Sequence, residues 1–206
     1  MKIGLFGGTF NPIHYGHLRG AEEVREFFNL DKIIFIPAGN PPLKSSDIAD
    51  SLHRFKMTEI AILGNPYFEI SDYEVKNEGP SYSIKTIAYF KKLYESHTLF
   101  FIMGVDSFLE LRLWHKHWEL LKMIDFIVMS RPGFNNFEES EFIACKEKDG
   151  CYRIKNSEKR VFYLEILPCA ISSSQLRELI RRGKSIRYLV PDRVMEYIKE
   201  NQLYRE

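Results

Sequence analysis

Cysteine is scarce in this chain. Among 206 residues there are three, Cys145, Cys151 and Cys169. The number is odd and no C-x-x-C pair occurs, so neither a disulfide framework nor a common zinc site is written here. Free thiols in a reducing compartment are the simplest reading. An excess of charge of one sign is also missing, because 29 Lys and Arg balance 28 Asp and Glu. That balance argues against broad binding to nucleic acid or an anionic membrane and leaves room for a local basic pocket. No apolar run approaches the roughly 18 residues of a membrane span. The first apolar stretch, Ile3 to Phe6, ends too soon for a signal peptide. A cytoplasmic protein is expected.

Two nucleotide fingerprints are absent as well. Gly183-Lys184-Ser185 imitates the end of a Walker A loop, but the first glycine of that motif would fall on Glu178. The glycines after the first apolar run do not spell G-x-G-x-x-G, which removes the mark of a hydride-transfer dinucleotide fold. No Ser-His-Asp or Cys-His set stands out for covalent catalysis.

What is present is the profile of a globular α/β protein. Apolar residues make up 45% and charged residues 28%, and a chain of this size buries roughly 70% of its unfolded surface. Short apolar runs at Ile3–Phe6, Ile33–Ile36, Leu99–Met103, Phe126–Met129 and Val161–Leu167 suit strands covered on both faces. Phe68 to Val75 alternates loosely and reads as an irregular strand. Between the runs lie helical patterns, with Leu18, Ala21, Val24 and Phe28 near one face and Val194, Tyr197 and Ile198 near another. Strand followed by helix, repeated, predicts a Rossmann-like, doubly wound parallel sheet with helices on both faces. One domain over residues 1–206 is expected. The charged stretch from Phe134 to Arg160 reads as a surface insertion holding one short helix.

The first strand runs into Gly7-Gly8-Thr9-Phe10-Asn11-Pro12-Ile13-His14-Tyr15-Gly16-His17. Two glycines permit positive φ and close approach of the backbone to a ligand. Pro12 stiffens the turn, and Gly16 and His17 open a helix whose unpaired N–H groups favour anions. His14 and His17, three apart, face the same point near that helix start. The place is the C-terminal end of a parallel strand, where such sheets bind ligands. A metal pair is disfavoured, since no partner carboxylates or thiols cluster nearby. Far along the chain, Ile171-Ser172-Ser173-Ser174-Gln175-Leu176-Arg177 opens another helix. Ser172 or Ser173 can cap it, and its amides, hydroxyls and Arg177 make a second anion cradle.

These two motifs resemble the signature of the bacterial nicotinate-nucleotide adenylyltransferases, in the nucleotidyltransferase superfamily marked by H-x-G-H. The late motif is similar to the family's I-S-S-T-x-x-R, with Ser174 in place of Thr. Further matches are Pro37 to Lys44 (with Leu43 where His is usual), Arg54 and Met57, Ser81 to Thr86 (with Lys85 where Asp is common), Gly104-Val105-Asp106, Trp114, and the tail from Gly183 to Pro191. The resemblance implies AMP transfer from ATP to nicotinate mononucleotide, with magnesium carried on the ATP phosphates. It implies catalytic roles for His14, His17 and Arg177. It places ATP against Gly7, Gly8, Thr9, Phe10, His14, His17, Gly104, Asp106, Ile171, Ser172, Ser173 and Arg177. It places the mononucleotide against Thr9, Asn11, Lys44, Ser83, Thr86 and Trp114. The amide mononucleotide, phosphopantetheine, or a catalytically silent nucleotide sensor remain alternatives, and a homo-oligomer stays open. His53, His97, His115 and His117 read as surface or packing residues, and Trp118 with Leu120 and Leu121 as core.

Overall fold

The structure, a computed structural model, describes residues 1–43, 47–134 and 136–205. In chain order the elements are β1 (Lys2–Gly8), α1 (Tyr15–Phe28), β2 (Lys32–Pro37), α2 (Ser51–Ile62), β3 (Phe68–Ile70), α3 (Tyr73–Lys76), α4 (Ser83–Leu93) and β4 (Thr98–Gly104). There follow α5 (Val105–Leu109), α6 (His117–Leu120), β5 (Asp125–Met129), β6 (Ile143–Lys148), β7 (Cys151–Ile154), β8 (Arg160–Leu164), α7 (Ser173–Arg181) and α8 (Asp192–Glu200). Single 3-10 turns cover 111–113 and 137–139.

All the strands join one eight-stranded sheet in the order β3-β2-β1-β4-β5-β8-β7-β6. The pairs from β3 to β8 are parallel. The β6–β7 and β7–β8 pairs are antiparallel. The side-chain period of two sorts each central strand between two cores. Ile3, Leu5, Ile34, Ile36, Phe101 and Met103 face α4, α5 and α6, through Ile87, Phe90, Phe108 and Leu120. Phe6, Ile33, Phe35, Phe100 and Ile102 face α1, α2, α7 and α8, through Ala21, Val24, Met57, Leu176, Val194 and Ile198. Burial on both faces is why the runs read as continuous, and each buried large side chain contributes about 1.5–3 kcal/mol. The predicted Rossmann-like parallel sheet with helices on both faces is therefore present.

Two local expectations change. Phe68 to Val75 is not one strand, since β3 ends at Ile70 and Tyr73–Lys76 turns into a helix. Among its described residues the stretch 134–160 carries a 3-10 turn at Phe137–Glu139, and its main feature is the hairpin β6–β7, which was not expected and widens the sheet. That hairpin also buries Phe137, Phe142, Ile143, Tyr152 and Ile154 in the first core, so the segment is core as much as surface. Trp118 is 37% exposed and lies edge-on to Phe142, whereas Leu120 and Leu121 are fully buried. Cys145, Cys151 and Cys169 are all free thiols.

The chain order reverses direction across the sheet between β1 and β4. A crevice opens at such a switch point, outside the carboxyl ends of the two strands.

Candidate active site

That crevice is a cleft of about 740 Å³. Gly7 and Gly8 from β1 and Met103 and Gly104 from β4 form its floor. Close approach is the reason for the glycines. A Cβ on Gly8 would stand 2.8 Å from the Phe10 ring, and one on Gly7 would stand 3.0 Å from Phe101. Neither glycine takes positive φ, contrary to the reading of the motif. The left-handed residue is Phe10, at φ 48, and this turn lays its ring back over Gly8. The same ring meets His17 edge-on at 5.2 Å.

The two anion motifs meet here. The Ser173 hydroxyl donates to the Pro12 carbonyl at 2.9 Å, and Arg177 Nη1 donates to the Asn11 carbonyl at 2.9 Å. Segments more than 160 residues apart in the chain thus share one wall. Ser172 Oγ accepts from the Gln175 amide at 3.2 Å, and Gln175 Oε1 accepts from the Ser172 amide, also at 3.2 Å, a reciprocal cap. With Ser172 capping and Ser173 tying Pro12, the first amides of α7 and the Arg177 fork are what this motif presents to an anion.

His14 and His17 stack with ring centroids 3.7 Å apart. The His14 amide donates to His17 Nδ1 at 3.3 Å, which assigns the His17 ring proton to Nε2. His14 is buried, and burial, reinforced by the charge of Arg131, lowers its pKa from 6.5 to about 3. The sign follows from linkage. The unfolded chain takes up this proton near pH 6.5 and the folded chain only near pH 3. The stability held by neutral His14 is thus complete above about pH 6.5 and falls by about 1.4 kcal/mol per pH unit below it. Between pH 7 and pH 5, urea unfolding should show the wild type losing about 2 kcal/mol more than His14→Gln. Equal losses in the two proteins would locate the proton uptake elsewhere.

Of the described residues assigned to the substrates, all but Thr86 line the cleft. Thr9, Asn11, Asp106, Ile171, Ser83 and Trp114 are all on its walls. Thr86 is buried instead, its hydroxyl donating to Glu74 Oε1 at 2.5 Å, and it does not reach the cleft. It lies on the inward side of α4, so its partner is a neighbouring helix rather than a ligand. Asn11 borders the cleft, but its side chain is spent internally. Oδ1 accepts from the Ala49 amide at 3.0 Å and the Tyr204 hydroxyl at 2.8 Å, and Nδ2 donates to the Asp47 carbonyl at 2.8 Å. Lys44 falls outside the described residues. Asp106 pairs with Arg131 and accepts from the Ser107 amide at 2.9 Å. Trp114 stands edge-on to Phe101 at 6.4 Å, and Tyr82, also in the cleft wall, stacks on His115 at 4.2 Å.

Four residues that matter here were not assigned roles from sequence. Arg131 follows the C-terminal end of β5, and that position in a parallel sheet was itself the available signal. Asp47 pairs with Arg177 and Arg181. Glu74 lines the cleft, with burial pushing its pKa up. Arg54, wholly buried, donates to the carbonyls of Thr9, Gly39 and Ala49 at 2.9, 2.8 and 2.9 Å. Among the described residues no three His, Cys, Asp or Glu converge in a way that would hold a metal. None of the helices among them is long and apolar enough to cross a membrane.

Comparison with known proteins identifies the family and the fold. The cytidylyltransferase-like family model matches residues 5–179. A probable nicotinate-nucleotide adenylyltransferase of Thermoanaerobacter sp. (strain X514) is 43% identical, over 100% of this chain and 95% of its own. A protein of the same name from Caldicellulosiruptor bescii is 42% identical over the full length of both. Among solved structures, Plasmodium falciparum nicotinic acid mononucleotide adenylyltransferase complexed with NaAD shares the fold, with a TM-score of 0.77, 20% identity and coverage of 98% of this chain and 97% of that one. The chain belongs to the cytidylyltransferase-like nucleotidyltransferases, and within them to the nicotinate-nucleotide adenylyltransferase family.

Proposed function

We propose that this cleft moves AMP from ATP to nicotinate mononucleotide, giving deamido-NAD and pyrophosphate. The observation that carries the reading is the pair of hydrogen bonds that fasten the Ser173–Arg177 segment onto Asn11 and Pro12. They turn two weak anion cradles into one wall long enough for a triphosphate. A phosphate oxygen of the mononucleotide attacks the α-phosphorus in line. A new P–O bond forms, the α–β bridge breaks, and its electrons leave with pyrophosphate. The nucleophile is already an anion at neutral pH, so neither a strong base nor a covalent intermediate is needed. Positioning and charge neutralisation supply the rate.

His17 Nε2 donates to the α-phosphoryl group as charge builds. His14 and the Thr9 loop hold neighbouring oxygens. Arg177 and the first amides of α7 take the β- and γ-phosphates. Gly104, at the end of β4, and Asp106, in the first turn of α5, face the adenosine. Trp114 offers a face to the cationic pyridine ring, with Ser83 beside it at the start of α4. Magnesium bound with ATP would supply further charge neutralisation. Of the carboxylates in the wall, Asp106, Asp47 and Glu74 are engaged with Arg131, Arg177, Arg181 and Thr86, which suits an ion carried by the nucleotide rather than one caged by the protein.

The test is pyrophosphate release measured with nicotinate mononucleotide, its amide and phosphopantetheine in parallel. A site built to pair a carboxylate rejects the amide, because mispaired buried donors are costly. The acid is expected to win by at least about tenfold in kcat/KM. A strong preference for the amide refutes the substrate assignment.

A further inference from the structure

Arg177 and Arg181 stand one turn apart on α7, on the same side of the helix. Both grip a single carboxylate. Arg177 Nε donates to Asp47 Oδ2 at 2.7 Å, and Arg181 Nη2 donates to the other oxygen, Oδ1. Arg181 also lies 3.7 Å from Glu178. Asp47 lines the cleft beside Arg177. Its backbone is held in place independently of this contact, since its carbonyl accepts from Asn11 Nδ2 at 2.8 Å. The loop is thus anchored on the first motif and delivers a carboxylate to the cations of the second.

Two guanidinium groups, each donating to one oxygen of the same carboxylate, use the recognition that a phosphate group would satisfy at the same place. Arg177 cannot give the same N–H fully to both. We propose that Asp47 is a resident counter-ion that the polyphosphate of the nucleotide must displace, and that Arg181 then exchanges its Asp47 contact for the polyphosphate and becomes a second polyphosphate-binding cation beside Arg177. This rests on the reading of Arg177 as a phosphate ligand. The exchange sets a threshold. A polyanion that offers several charges at once replaces the carboxylate, whereas a single weakly charged anion does not. Asp47 would therefore lower the affinity for every ligand and lower it most for those with one phosphate.

Asn is the substitution of choice at position 47. It has the same shape, keeps the backbone carbonyl bond, and is among the few residues at ease at the φ of 60 found there. Calorimetric titration of inorganic tripolyphosphate into the full chain, at fixed ionic strength, reads the exchange without any turnover. Asp47→Asn should bind tripolyphosphate about five- to tenfold tighter than the wild type. In Asp47→Asn/Arg181→Gln most of that gain should vanish. The KM for ATP of Asp47→Asn should fall in parallel. Equal or weaker binding by Asp47→Asn would overturn the proposal and make Asp47 a brace for Arg177. A double variant as tight as Asp47→Asn alone would overturn the role of Arg181. Failure of the adenylyl-transfer reading is a separate outcome, seen as no pyrophosphate release with any mononucleotide, and it leaves the anion titration to decide the counter-ion.

Discussion

His17→Ala should lower kcat by about 10²–10³, or roughly 3–4 kcal/mol of transition-state stabilisation, the cost of losing one well-placed donor to a developing oxyanion. The imidazole is held on three sides. The His14 ring stacks on it at 3.7 Å, the Phe10 ring meets it edge-on at 5.2 Å, and the His14 amide fixes Nδ1 as an acceptor at 3.3 Å. In the proposed role, a ring held in this way donates from Nε2 with little reorganisation at the moment of reaction, which is when a fixed dipole contributes most. The KM for ATP should move far less than kcat, because the ground-state triphosphate keeps Arg177 and the amides of α7. Helix α1 is anchored through Gly20, Ala21 and Val24, so the variant should fold. Single-turnover rates with nicotinate mononucleotide give the result directly, and His17→Gln, which retains an N–H donor, should recover part of the loss. Turnover near that of the wild type in His17→Ala would remove this residue from the chemistry.

The parts of the molecule readable in advance share a cause. Ile33 to Ile36 and Leu99 to Met103 are buried on both faces, and double burial leaves an unbroken apolar run. The meeting of His14 and His17 with Ser173 and Arg177 could be expected because each motif carries its own anion chemistry and sits at a helix start. The hairpin β6–β7 escaped for the opposite reason. At a sheet edge only scattered positions are buried, and Ala144 to Lys148 face outward as a charged, exposed row. Thr86 was misread because spacing alone does not say on which side of α4 it falls, and that side belongs to Glu74. Asn11 has a motif position but an internal task. Its oxygen ties Ala49 and Tyr204, residues with no recognisable pattern. Asp47 and Arg181 meet only through the fold, since 134 residues separate them in the chain.

Arg54 is the extreme case, because its partners are carbonyl oxygens and carry no sequence identity at all. The residue is 1% exposed, and its guanidinium ties two loops at three carbonyls: Thr9 between β1 and α1, and Gly39 and Ala49, both between β2 and α2. Burial lowers its pKa, but an arginine stays charged in spite of this. Arg54→Met fills the volume and leaves three carbonyls without donors. At about 1–3 kcal/mol for each unsatisfied group, partly relieved by relaxation, the loss should be about 4 kcal/mol. For a chain of this length that lowers Tm by about 8–16 °C. Arg54→Lys should fall between the two, since a single ammonium cannot follow the fork and a buried lysine tends toward its neutral form. The effect should also reach the substrates. Gly39 packs so closely on α3 that a Cβ there would lie 2.0 Å from the Glu74 carbonyl oxygen. One cation thus fixes the Thr9 loop and, through Gly39, the Glu74–Thr86 pair, which the proposed binding mode puts at the phosphate and pyridine ends. KM for both substrates should rise together in Arg54→Lys, measured below its melting point. A Tm within about 2 °C of the wild type for Arg54→Met would show that the two loops hold their places without it.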